Sequence, residues 1–153
     1  MTTTLTNPNS GMNGWFALPV LLAALAVAAP LFSANGFVAL AFALRHAFAL
    51  ICHQRPERSF WMFGASVAVC ARCLGIYLGA AVGLLLRTSR RIAVQLLIAA
   101  VTLNVLDGLA ELTGLHGNWM LARFVLGLLL GASAALLISS SMGSPATRIA
   151  EIS

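Results

Sequence analysis

The stretch IAVQLLIAAVTLNVLDGLAEL, residues 92–112, decides the fold: its 21 residues carry two charges, Asp107 and Glu111, both near its end. A helix rises about 1.5 Å per residue and the hydrocarbon core of a bilayer is about 30 Å thick, so this run is long enough to cross one. Outward from it the pattern repeats. Trp119 to Ile138 is apolar on the C-terminal side, as are Val67 to Leu86, Phe37 to Ile51 and Trp15 to Ser33 on the N-terminal side. Between the runs stand short polar breaks: Asn35-Gly36, the HQRPERS loop of residues 53–59 with its Pro56, the Arg87, Arg90 and Arg91 cluster, and the turn at residues 113–117.

These runs predict an all-α polytopic membrane bundle of about five transmembrane helices, or four if the first or second segment does not span. The second is the shortest and is interrupted by Arg45 and His46. Residues 15–139 read as a single transmembrane domain between a flexible tail, 1–14, and a polar C-terminal tail, 140–153. The run from Trp15 to Ala34 has no basic residue ahead of it, since the first arginine is Arg45, so it is kept as a membrane helix and not a secretory signal.

Composition agrees with a bilayer as solvent. The chain has 153 residues, 60% of them hydrophobic and 8% charged, against about a quarter charged in soluble domains. The net charge of +5 comes from nine arginines that are single or in one short run, with no basic stripe, which argues against a nucleic-acid partner and for the lipid bilayer. The densest arginine cluster, Arg87, Arg90 and Arg91, belongs in the cytoplasm. Alternation of the spans then puts residues 52–69 outside. Phe60, Trp61 and Phe63 read as an interfacial aromatic belt.

The chain's three cysteines gather at one membrane face. Cys52-His53 ends the second run and Cys70-Ala-Arg-Cys73 opens the third. On a helix, positions 70, 73 and 77 share a side, so Cys70 and Cys73 point together with Tyr77 one turn deeper. A helix N-terminus also favours thiolate over thiol. Three readings stay open. The preferred one is a tetrahedral metal site of three cysteines and one histidine, Cys52, His53, Cys70 and Cys73, which suits zinc; its weakness is that neighbouring side chains such as those of Cys52 and His53 diverge, and the fallback is His46 or a water as fourth ligand. The second is a redox pair, Cys70 and Cys73 with Cys52 as relay thiol, in a membrane thiol-disulfide oxidoreductase. The third is a structural disulfide or inert thiols that brace the fold. Haem is disfavoured, because His46, His53 and His116 offer no matched pair and no histidine follows the CxxC.

Polar residues inside the runs either pair and fix helix register or take part in this site. Asn104, Asp107 and Glu111 form one stripe on the fourth run, and Arg123 reaches a depth similar to that of Asp107, so an Asp107–Arg123 ion pair is expected. Glu111 is either solvated surface or turned towards the thiols, and Arg45 needs a partner, for which Asp107 or Glu111 would serve. Gly75, Gly79 and Gly83, and likewise Gly127 and Gly131, recur every fourth residue, a spacing that lets helices approach closely, either as internal scaffolding or as a docking face for a membrane-protein partner. An accessory subunit of a larger complex is therefore a further alternative.

The string Cys52-His-Gln-Arg-Pro-Glu-Arg-Ser-Phe60, then Gly64, then Cys70-Ala-Arg-Cys-Leu-Gly-Ile-Tyr-Leu-Gly79, with Leu106-Asp-Gly108, Arg123, Gly127 and Gly131, resembles the bacterial and archaeal membrane proteins of domain of unknown function 2085. The resemblance covers roughly residues 48–135. It implies a small multi-span protein of a bacterial or archaeal cytoplasmic membrane with the CHQ and CxRC elements as its hallmark, and it supplies no activity.

Overall fold

The computed structural model describes residues 10–114, 117 and 119–142. Among them are five α-helices: α1 (Ser10–Ala34), α2 (Val38–Ala49), α3 (Ala71–Leu85), α4 (Arg90–Leu112) and α5 (Met120–Met142), with a 3-10 turn at Pro56–Arg58 and a two-stranded hairpin of β1 (Trp61–Met62) and β2 (Ala65–Ser66) between α2 and α3. The all-α membrane bundle is as expected. Three helices are long and apolar enough to cross a bilayer, α1 over Phe16–Ala34, α4, and α5 over Met120–Ser141. The shorter α2 and α3, at about 1.5 Å per residue, extend roughly 18 and 22 Å, less than a bilayer core.

Helix ends depart from the sequence expectations at both termini of the chain. α1 begins at Ser10, inside the expected tail, and α5 continues past Ile138 to Met142, into the other. Of the residues singled out earlier, His116 lies outside the described ones.

α3 packs on α5, α4 on α5, and α1 on both α2 and α3. Glycine makes the α3–α5 seam possible. A Cβ on Gly75 would stand 2.2 Å from the Phe124 carbonyl oxygen, on Gly79 2.1 Å from that of Leu128, and on Gly83 2.4 Å from that of Ala132; on α5, Gly127 and Gly131 would meet the carbonyls of Arg72 and Ile76 at 2.1 Å each. The contacts advance together along both helices, so α3 and α5 run parallel. Both glycine stripes are therefore spent on each other inside the chain, and the docking face foreseen for a foreign helix at these positions is already occupied.

The largest correction concerns residues 67–70, expected as the start of the third span. They are not helical, with Val67, Ala68 and Val69 fully buried, and the helix starts only at Ala71. Pro30 supplies the reason. Lacking an N–H, it leaves the carbonyl of Ala26 without its usual partner in α1, and the N–H of Ala68 takes that acceptor at 3.1 Å. The Val67 N–H donates to the Phe60 carbonyl at 2.8 Å, and Arg45 donates from Nη1 to Ser66 Oγ at 3.1 Å and from Nη2 to the Ser66 carbonyl. Non-helical backbone is thus bonded and buried against the middle of a membrane-length helix, the condition under which it is tolerated there. Arg45, for which an acidic partner was expected, is satisfied by Ser66 instead.

The hairpin turns at Phe63 and Gly64, whose φ values of +52° and +78° are both positive, as a two-residue type I′ loop requires. Trp61 and Phe63 are exposed, in keeping with an aromatic belt. Phe60 is not part of it. Its ring packs edge-on against Phe124 of α5, centroids 5.6 Å apart.

Candidate metal centre

Cys52 lies three residues beyond the end of α2, where the chain leaves the helix. The next residues double back: Gln54 has φ +47°, and its side-chain amide donates to the Arg45 carbonyl near the end of α2. This folds the loop so that Cys52 turns inward, 5% exposed, against Phe48, Val67 and Val69. Cys70 is the N-cap of α3 and Cys73 follows in its first turn, half-buried. The Cys70 backbone N–H donates to Cys52 Sγ at 3.2 Å.

The result is three thiols from two segments of chain, with all three Sγ atoms within 4.8 Å of one another. A tetrahedral ion with Zn–S distances of about 2.3 Å needs sulfurs roughly 3.8 Å apart. A small closure of the trio would meet that geometry. Hydrogen bonds from the Cys70 and Cys73 thiols, helped by the Cys70 and Gln54 backbone N–H groups, hold the Cys52 thiol well below the ordinary thiol range, against the opposing effect of burial. The same bonds push the Cys73 thiol up, so the proton losses belong to the group as a whole.

His53 does not join this group. Its side chain is exposed while that of Cys52 is buried, the divergence expected of adjacent residues, so among the described residues the donor set is three thiols without an imidazole. His46 is no substitute: it sits on the exposed face of α2 beside the Phe42 ring, centroids 4.7 Å apart. Tyr77 is one turn deeper than Cys73, as expected, half-buried and packed against Phe48 with ring centroids 6.3 Å apart.

The acidic stripe of α4 faces α5 and the start of α3. Asn104 Nδ2 donates to the Leu126 carbonyl at 3.1 Å. The expected pair forms, with Arg123 Nε 3.9 Å from Asp107 Oδ2, but Asp107 has a closer partner in Arg72 of the CxRC element. Glu111 is neither free surface nor turned to the thiols. It pairs with Arg123 Nη2 at 2.6 Å and with Arg58 Nη2 at 2.5 Å. Arg123 is 3% exposed, so its charge depends on these carboxylates. Arg58 and Arg72 were missed in the sequence as parts of this group; the available hint was that both lie beside the cysteines, in a chain with only four acidic residues to receive nine arginines.

A family model described as a predicted membrane protein, DUF2085, matches residues 52–137. The match opens on Cys52 and includes all three thiols and all five charged residues of the ion-pair group, leaving out α1 and α2. An uncharacterised protein of Methanocaldococcus jannaschii is 39% identical over 92 residues, 55% of this chain and 58% of that protein. Another, of Methanothermobacter thermautotrophicus, is 36% identical over 97 residues, 59% of this chain and 86% of that protein. The chain therefore spans little more than half the length of the first relative. No solved structure matches.

Proposed function

The chain belongs to the DUF2085 family of membrane proteins, and from that premise we propose that it is a metal-binding membrane protein whose ion, zinc, is held by Cys52, Cys70 and Cys73. The observation that carries this reading is the convergence of three Sγ atoms within 4.8 Å, drawn from two segments 18 residues apart and joined by the bond from Cys70 N–H to Cys52 Sγ. Thiolates are soft ligands that favour zinc over hard cations. Only the deprotonated thiol binds, and the hydrogen bonds that depress the Cys52 thiol favour that form. Three protein ligands leave a fourth position for water or an exchangeable ligand, the pattern of zinc sites that are more than structural.

The test is metal content. Protein purified in detergent from zinc-supplemented cells should carry one zinc per chain, and Cys52→Ser, Cys70→Ser and Cys73→Ser should each lose it. Absence of stoichiometric metal, with none gained on reconstitution of reduced protein, overturns the proposal. The low proton affinity of Cys52 also suits a thiolate nucleophile, which favours a thiol-disulfide oxidoreductase as the second reading. Thiol trapping separates the two: an oxidisable pair that forms in the native membrane and takes up no metal supports redox chemistry.

A further inference from the structure

The five charged side chains beside the thiols form one unbroken sequence of ion pairs. Arg58 Nη2 meets Glu111 Oε1 at 2.5 Å, Glu111 Oε2 meets Arg123 Nη2 at 2.6 Å, Arg123 Nε stands 3.9 Å from Asp107 Oδ2, and Asp107 meets Arg72. Its two ends fall on the two segments that carry the thiols. Arg58 closes the loop that begins at Cys52, and Arg72 lies between Cys70 and Cys73. Each segment is therefore anchored to a carboxylate of α4, Arg58 to Glu111 and Arg72 to Asp107, and Arg123 links the two.

Helix register alone does not account for this arrangement. The α3–α5 register is already set by the glycine seam, and α4 is tied to α5 by Asn104 and the Leu126 carbonyl. Arg58, moreover, is on no long helix, so its tie to Glu111 fixes the loop and nothing else. Charge gives a second indication: within this group three arginines against two carboxylates leave an excess of +1, opposite in sign to the −1 of a divalent ion with three thiolates.

We infer that the ion chain Arg58–Glu111–Arg123–Asp107–Arg72 is the outer half of the thiol site: it holds the Cys52 loop against the Cys70–Cys73 turn and supplies the counter-charge of the bound metal. Arg58 and Arg72 are positioning residues, acting on the metal through the segments they anchor. This inference rests on the zinc reading for its charge balance, but its positional half stands on the thiol geometry alone. Outer partners of metal sites of this kind are worth about tenfold to a hundredfold in affinity.

The test measures zinc affinity by chelator competition on the full chain in detergent, with cobalt substitution reporting the thiolate-to-metal absorption. Arg58→Gln and Arg72→Gln should each weaken zinc by about tenfold or more and perturb the cobalt spectrum, while Arg72→Lys, which keeps the charge, should recover most of the affinity. Arg87→Gln, at the far end of α3, should leave both unchanged. Arg58 is partly exposed in a loop, so its variant remains informative if Arg72→Gln does not fold. Zinc binding within about twofold of wild type in both glutamine variants, with an unchanged cobalt spectrum, overturns the inference while leaving the zinc site intact. A metal-independent probe, phenylarsine oxide, which bridges two neighbouring thiols, separates the other case. If wild type takes no zinc but captures the arsenical about tenfold faster than Arg58→Gln and Arg72→Gln, the zinc reading fails and the positional inference stands; equal capture rates overturn it.

Discussion

Along one face of α3, Gly75, Gly79 and Gly83 bring the helix into backbone contact with α5; along the other, Cys70, Cys73 and Tyr77 meet a loop and a bent stretch of chain that have no helical regularity. The glycine face is built from one repeated residue type, and any larger side chain there collides with main-chain atoms that cannot move independently. The thiol face is built from single residues brought together by a proline in α1, a left-handed residue at Gln54 and an arginine in α2. A repetitive seam fixes the helices. An irregular pocket, its backbone bonded by several different devices, positions chemistry on that fixed frame.

The contrast can be broken most severely at the seam. Gly79→Leu places side-chain atoms where a Cβ alone would stand 2.1 Å from the Leu128 carbonyl. Overpacking of this kind costs about 3 kcal/mol or more, and the variant should fail to elute as a monodisperse species in detergent. On the opposite face, Pro30→Ala should regularise α1 and return the Ala26 carbonyl to its own helix. The buried Ala68 N–H then loses its acceptor, at about 1–3 kcal/mol, so the melting temperature should drop and the thiols should react faster with maleimide.

A smaller, pH-dependent effect comes from Cys52. A thiol whose folded pKa is depressed contributes stability that is complete above its unfolded value, about 8.5, and is lost as pH falls towards the folded value. Metal-free protein should therefore gain stability between pH 6 and pH 8, roughly one unit either side of neutral, and Cys52→Ser should lose that slope. Denaturant titration at several pH values measures it. The smallest effect is expected at Gly108, where an added Cβ meets nothing within 4 Å. Gly108→Ala should be neutral or stabilising by up to about 1 kcal/mol through helix propensity, and a thermal shift of the opposite sign would show that the seam is not what sets apart the glycines of this chain.

The same two faces differ in how far the sequence reveals them. The seam was legible because close helix approach demands small residues, and a spacing of four needs no knowledge of the partner to recognise. The gathering of the thiols was legible because Cys52 ends one apolar run and Cys70 opens the next, so the connection between the two helices brings these ends together. The pocket's interior was not. Val67-Ala-Val69 is as apolar as the helix after it, and the missing N–H of Pro30, some forty residues earlier, explains why it is not helical. Phe63-Gly64 turns a hairpin without the usual Asn-Gly or Asp-Gly cue. His53 was assigned by residue type, yet the backbone that turns Cys52 inward turns its neighbour outward. Arg72 stands between two cysteines with nothing in the local spacing to mark it, and its guanidinium finds its carboxylate in Asp107, 35 residues away.

The central claim, that Cys52, Cys70 and Cys73 converge on one metal ion, is tested most directly by X-ray absorption at the zinc edge of the zinc-loaded full chain. The account predicts three sulfur scatterers at about 2.3 Å and one lighter oxygen or nitrogen atom at about 2.0–2.1 Å, with one sulfur lost in each cysteine-to-serine variant. A shell of oxygen and nitrogen alone, or fewer than three sulfurs in the wild type, would contradict it.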